Sequence, residues 1–142
     1  MGREVRKVPP TWEHPENKPL RGRSFEEDAE KWDIQKIAWD CGLYLSNGEL
    51  KRRDSSMPDS FDDWDGKRPE KEDYMPNWPE SERTHYQMYE TTTLGTPISP
   101  PMPTIDSLAH WLADNNASAA ADFTCTYEEW LRFICLNLYG RA

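Results

Sequence analysis

Apolar residues recur at helical spacing in several stretches of this chain, and between them the period disappears. After Ser24, the residues Phe25, Ala29, Trp32, Trp39 and Leu43 fall on one stripe, with Ile37 and Tyr44 beside it and Lys36 as the one break. Ser24 followed by Glu27 forms a capping box, with acids filling the first turn. Gly42 weakens the last turn, and Asn47-Gly48 supplies a stop. A second helix begins at Thr104, with Ile105, Leu108, Trp111 and Leu112 facing one way, and ends at Asn115-Asn116. A third follows the capping box Thr126/Glu129, carrying Trp130, Leu131, Phe133, Ile134 and Leu138 before Gly140. Pro79 at a first helical position predicts a short fourth helix over 79–89, with His85, Met88 and Tyr89 inward.

Residues 49–79 have no helical period. Met57-Pro, Asp65-Gly, Arg68-Pro, Met75-Pro and Trp78-Pro are turn and extended signals, and Trp64, Tyr74 and Trp78 recur among them. A disordered linker rarely carries so many aromatics, so an ordered loop pinned on the domain is expected. Residues 91–103 hold too much Pro and Thr for a helix, and 91–94 read as a short strand. The fold class expected is mainly α, with α+β as the alternative. About four helices form one compact domain with long Pro- and aromatic-rich ordered loops and at most a small sheet. Residues 1–23 read as a basic extended segment and 24–142 as the single α-rich domain.

Composition sharpens this picture. Leu, Ile, Val and Phe number only 21 of 142 residues, a level usual for disordered chains. Seven Trp and six Tyr argue otherwise, because each large aromatic buries ~150–250 Å². Twelve Pro and two Val make a large β-sandwich or barrel unexpected. The first residues carry bases with no apolar run behind them, so neither a signal peptide nor a membrane span is expected. Cys41, Cys125 and Cys135 lack CxxC spacing and read as reduced, buried thiols of an intracellular protein.

The net charge of −9 is unevenly placed. Residues 1–23 carry +3, whereas residues 24–48 carry −4 and residues 59–90 carry −6. Glu26, Glu30, Asp33 and Asp40 repeat along one edge of the first helix, and Asp59, Asp62, Asp63 and Asp65 crowd a loop. Carboxylates four residues apart on a helix stand about 6 Å apart. Such an array can imitate a phosphate backbone and occupy a basic nucleic-acid groove. The plainer reading is an acidic surface that keeps a small protein soluble. The same charge argues against direct nucleic-acid binding, except through Arg3, Arg6, Lys7, Arg21 and Arg23.

Other chemistry is thinly represented. Asp63, Asp65, Gly66 and Glu72 match part of a calcium-loop pattern, but Phe61 stands where the first ligand belongs. His14, Cys41, His85, His110, Cys125 and Cys135 show no zinc spacing. Glu82, His85 and Tyr89 fall at i, i+3 and i+7 of the expected short helix, which makes His85 the best candidate general base. An ordinary half-buried helix shows the same spacing. No metal or cofactor is expected.

Several blocks together are more specific. Gly2-Arg-Glu-Val-Arg-Lys-Val-Pro with Trp12-Glu-His-Pro, the run from Tyr74 to Glu90, Gly95-Thr-Pro-Ile-Ser-Pro, residues 108–117 and Thr126-Tyr-Glu-Glu-Trp-Leu resemble a family of small proteins encoded by phages and prophages. The resemblance covers most of the chain apart from about residues 17–60. Leu94 stands where that pattern has Glu. The resemblance implies a phage context and assigns no functional residue. With the acidic blocks, it leads to an expected non-enzymatic inhibitor of a host nucleic-acid-handling or defence protein, of the anti-CRISPR or anti-restriction type, acting in the host cytoplasm. Its partner would present a basic surface to Glu26, Glu30, Asp33, Asp40, Asp59, Asp62, Asp63 and Asp65. A homodimer through the 126–139 helix is a further expectation. The alternatives are a phage accessory or virion protein and a small enzyme centred on His85.

Overall fold

The computed structural model describes residues 2–140. In chain order its elements are β1 (Arg3–Val8), α1 (Phe25–Asp40), β2 (Leu43–Ser46), β3 (Glu49–Arg52), α2 (Phe61–Asp65), β4 (His85–Glu90), β5 (Thr96–Pro97), α3 (Ile105–Asp114), β6 (Ser118–Ala120), β7 (Phe123–Thr124) and α4 (Tyr127–Tyr139). Short 3-10 turns lie at Lys71–Asp73 and Glu80–Glu82. Three small sheets among the described residues correct the mainly helical expectation: the fold is mixed α/β. The chain separates into two compact units, one of Met1–Gly22 with Pro76–Ala142 and one of Arg23–Met75.

The first unit is built on the antiparallel sheet β1-β4-β5, with β4 central. Residues 85–90, expected as helix, form that central strand. The physical reason is that both of its faces are covered. Met88 joins Val5, Leu108, Ala109, Leu112, Trp130 and Ile134 in the core beneath α3 and α4. Tyr89 points the other way, to a segment that includes Trp12 and His14. A strand buried on both faces shows no polar alternation, so its period of two is hidden. Residues 91–94, expected as a strand, form a turn closed by Leu94 N–H to the Thr91 carbonyl at 3.1 Å. The helices α3 and α4 start at the expected caps, Thr104 and Thr126, each in a reciprocal capping box.

The second unit packs α1 with the hairpin β2–β3 and the short α2. The helix stops at Asp40, earlier than the stripe through Leu43 implies, because Gly42 takes φ +84°. Leu43 and Tyr44 therefore begin a strand. Asn47-Gly48 turns a hairpin rather than ending a helix: both have positive φ, as a tight two-residue hairpin turn needs. Residues 49–52 and 61–65, expected within one long loop, are β3 and α2. Aromatic rings supply the core. Trp39 and Phe61 are buried, with ring centres 5.6 Å apart, and Trp32 meets Phe61 at 5.1 Å. The Arg53 guanidinium lies 4.0 Å from the Trp39 ring centre and donates to the Trp39 carbonyl at 3.1 Å.

Candidate interaction surface

The second unit holds 15 acids against 9 bases and so carries most of the chain's negative charge. Its eight candidate carboxylates are not equivalent. On α1, Glu26 and Glu30 are exposed and enter no ion pair among the described residues. Asp33 is claimed by Arg68, whose Nε and Nη2 donate to its two oxygens at 2.9 and 3.0 Å. That hydrogen bonding holds the Asp33 carboxyl below the usual aspartate range. Asp40 accepts from Lys36, one helical turn earlier, at 2.8 Å. Half of the helix edge is thus neutralised within the unit.

The loop group has no such cation beside it among the described residues. Ser60 caps α2 by accepting the Asp62 N–H at 3.1 Å, which sets Asp62 and Asp63 in the first turn, where acids suit the helix dipole. Asp59, Asp62, Asp63 and Asp65 are all exposed, with no ion pair among the described residues. Trp32 Nε1 donates to the Gly66 carbonyl at 3.0 Å, so the end of this group is fastened to α1. The same unit also exposes apolar side chains. Ile34, Ile37, Leu45, Leu50 and Trp64 are exposed, and Ile34 with Leu45 lines a shallow groove of about 250 Å³ edged by Glu27, Glu30, Lys31 and Gln35. Ile37, placed beside the inward stripe by spacing alone, is 65% exposed.

The other candidates fare differently. His85 and Tyr89 lie on a strand, so the expected helical alignment with Glu82 does not form. Four residues of strand separate His85 and Tyr89 by about 13 Å. The His85 ring contacts Thr84 Oγ1 at 3.0 Å. Asp63 and Asp65 sit on α2 rather than in a calcium-loop turn, and no group of three His, Cys, Asp or Glu side chains among the described residues is placed to hold a metal. Cys41 and Cys135 are exposed, correcting the expectation of three buried thiols, while Cys125 is half-buried and its thiol is pushed up by burial and by Glu129. The basic head is largely spent internally. Arg3 pairs with Glu90 at 3.4 Å and donates to the Ser118 carbonyl, and Arg6 pairs with Glu4 at 2.6 Å.

One polar cluster escaped the sequence reading. The buried Tyr89 hydroxyl lies 3.0 Å from Trp12 Nε1 and 3.0 Å from His14 Nδ1, while His14 Nε2 lies 2.6 Å from the Lys18 carbonyl. Arg6 covers the Tyr89 ring, 4.2 Å from its centre, and Trp78 packs edge-on against Trp12 at 4.8 Å. The only signal in the sequence was Trp12-Glu-His-Pro itself, with no hint of its distant partner. The cluster is a fastening, since Tyr89 is closed to solvent.

No helix among the described residues is long and apolar enough to cross a membrane. Comparison of the chain with protein-family models, with curated proteins and with solved structures finds no match.

Proposed function

We propose that this chain is a phage-encoded, non-enzymatic inhibitor that binds a host nucleic-acid-handling or defence protein through the acidic face of the Arg23–Met75 unit. The observation that carries the reading is the set of exposed carboxylates left without internal cations, Asp59, Asp62, Asp63 and Asp65 with Glu26 and Glu30. A basic groove that ordinarily takes a phosphate backbone would meet fixed negative charges in its place. Exposed Ile34 and Leu45, in one groove with Glu30, supply the apolar anchors that a stable protein contact needs and a purely solubilising surface does not. Asp33 and Asp40 belong to the scaffold of this face rather than to its contact set. The mechanism is occupancy: the bound chain excludes nucleic acid, without turnover or cofactor, inside the host cell.

The test is capture by the full chain from nuclease-treated host lysate at low salt. The reading expects a basic protein that binds nucleic acid when purified alone, released from the chain as salt is raised. Capture only of proteins that bind no nucleic acid, or of nothing, contradicts it.

A further inference from the structure

We infer that the Arg23–Met75 unit opens as a cooperative whole at a lower free energy than the rest of the chain. Its fold is lost and regained while the sheet β1-β4-β5 and the helices α3 and α4 stay closed. Each unit has its own closure. The strands β1 and β4 flank Arg23–Met75 in the sequence and pair with each other directly, from Arg3 opposite Glu90 to Val8 opposite His85. The core beneath α3 and α4 takes no residue from 23–75 among the described residues. Within Arg23–Met75 the two ends are brought together. The Phe25 and Tyr74 rings lie 5.6 Å apart, and the Tyr74 hydroxyl donates to Asp28 at 2.8 Å. The segment is thus a closed insertion between two strands that pair with each other.

The two units differ in what holds them. Arg23–Met75 buries only Ala29, Trp39, Phe61 and Tyr74, and none of these is wholly closed to solvent. The other unit closes Val8, Met88, Tyr89, Leu112, Trp130 and Ile134 completely. The helix α1 has 16 residues and buries two of them. The bonds that fasten it to residues 66 and 68, from Trp32 to Gly66 and from Arg68 to Asp33, lie at the surface, where water competes. Few buried apolar contacts and exposed hydrogen bonds mark the part of a protein that opens first. A short unit also buries a smaller share of its chain than a longer one. Opening takes the carboxylates of the acidic face out of their fixed arrangement, so the apparent affinity of that face falls with the fraction closed. Only that consequence rests on the proposed function; the opening is a property of the chain alone.

Native-state hydrogen exchange of the full chain, followed by NMR in increasing sub-denaturing urea, is the experiment. The amides of α1 should converge on one opening that leaves the amides of β4, α3 and α4 protected. Phe61→Ala should speed exchange of the α1 amides about a hundredfold or more and leave those of β4 and α4 at the parent rate. Leu112→Ala should do the reverse. In the parent chain, α1 amides protected as strongly as those of β4, or more strongly, overturn the inference without recourse to a variant. Acceleration of the same amides by both substitutions overturns it too. Failure to capture a host protein while these rates separate removes the proposed function and leaves the opening in place.

Discussion

Arg68 holds Asp33 with one hydrogen bond to each carboxylate oxygen, across 35 positions of sequence. This pair separates the scaffold of the acidic face from its contact groups. Arg68 keeps the Asp33 carboxyl below the ordinary aspartate range, so the pair contributes stability above that range, and the contribution is lost as pH falls through the lower folded value. Arg68→Gln should return Asp33 to an ordinary titration, read by carbon NMR of the side-chain carboxyl. An unchanged Asp33 titration would show that the pair does not form in solution.

The Tyr89 hydroxyl gives a second prediction. His14 donates from Nε2 to the Lys18 carbonyl; in a neutral ring Nδ1 is then an acceptor, so that Tyr89 donates to His14 and accepts from Trp12. Tyr89→Phe strands both partners and should cost about 1–3 kcal/mol in urea unfolding. Burial raises the Tyr89 hydroxyl above its ordinary range. The fold should therefore lose stability as pH climbs from the usual tyrosine range toward that higher value, and the Phe variant should lack this loss. Equal unfolding midpoints for the two proteins would remove the cluster from the account.

Arg53 packs against the aromatic core of the second unit. Its guanidinium lies over Trp39 and donates to the Trp39 carbonyl, with longer contacts of 3.4 Å to the Pro58 and Asp59 carbonyls. Arg53→Ala should destabilise by about 2 kcal/mol, combining a cation–π contact with lost charge-assisted bonds. Arg53→Lys should recover only part of this, because an ammonium cannot lie flat on the ring while reaching those carbonyls. Full recovery by Lys would mean that charge alone matters there.

The helices with reciprocal caps were legible because cap and apolar period lie within a few residues of each other, as at Thr126, Glu129 and Trp130. The central strand was not. Its residues 87–89 are buried in succession, and the partners that cover Tyr89 lie 75 and 77 positions away. The same distance effect blurred the site. The eight carboxylates could be named from charge runs, and Lys36–Asp40 is a pair readable from i, i+4 spacing. The loss of Asp33 to Arg68 required the fold. So did the exposure of Ile37, since helical spacing marks a face without saying whether anything covers it.

Charge reversal divides the acidic residues by role. Asp59→Lys and Asp65→Lys together, outside the first turn of α2, should leave unfolding near that of the parent, since these exposed side chains enter no ion pair among the described residues. Asp33→Lys should instead disturb the second unit by setting a lysine against Arg68. Similar unfolding by the two variants would collapse the distinction between contact and scaffold.

The most direct measurement is competition. The full chain is titrated into a complex of the captured host protein with its labelled nucleic acid, at fixed ionic strength, beside the fourfold Asp59, Asp62, Asp63 and Asp65 reversal. Stoichiometric displacement of the nucleic acid by the parent chain, lost in the reversal, is the predicted result. Displacement that is equal for both, or a nucleic-acid complex that survives saturating parent chain, would contradict the assignment of this acidic face.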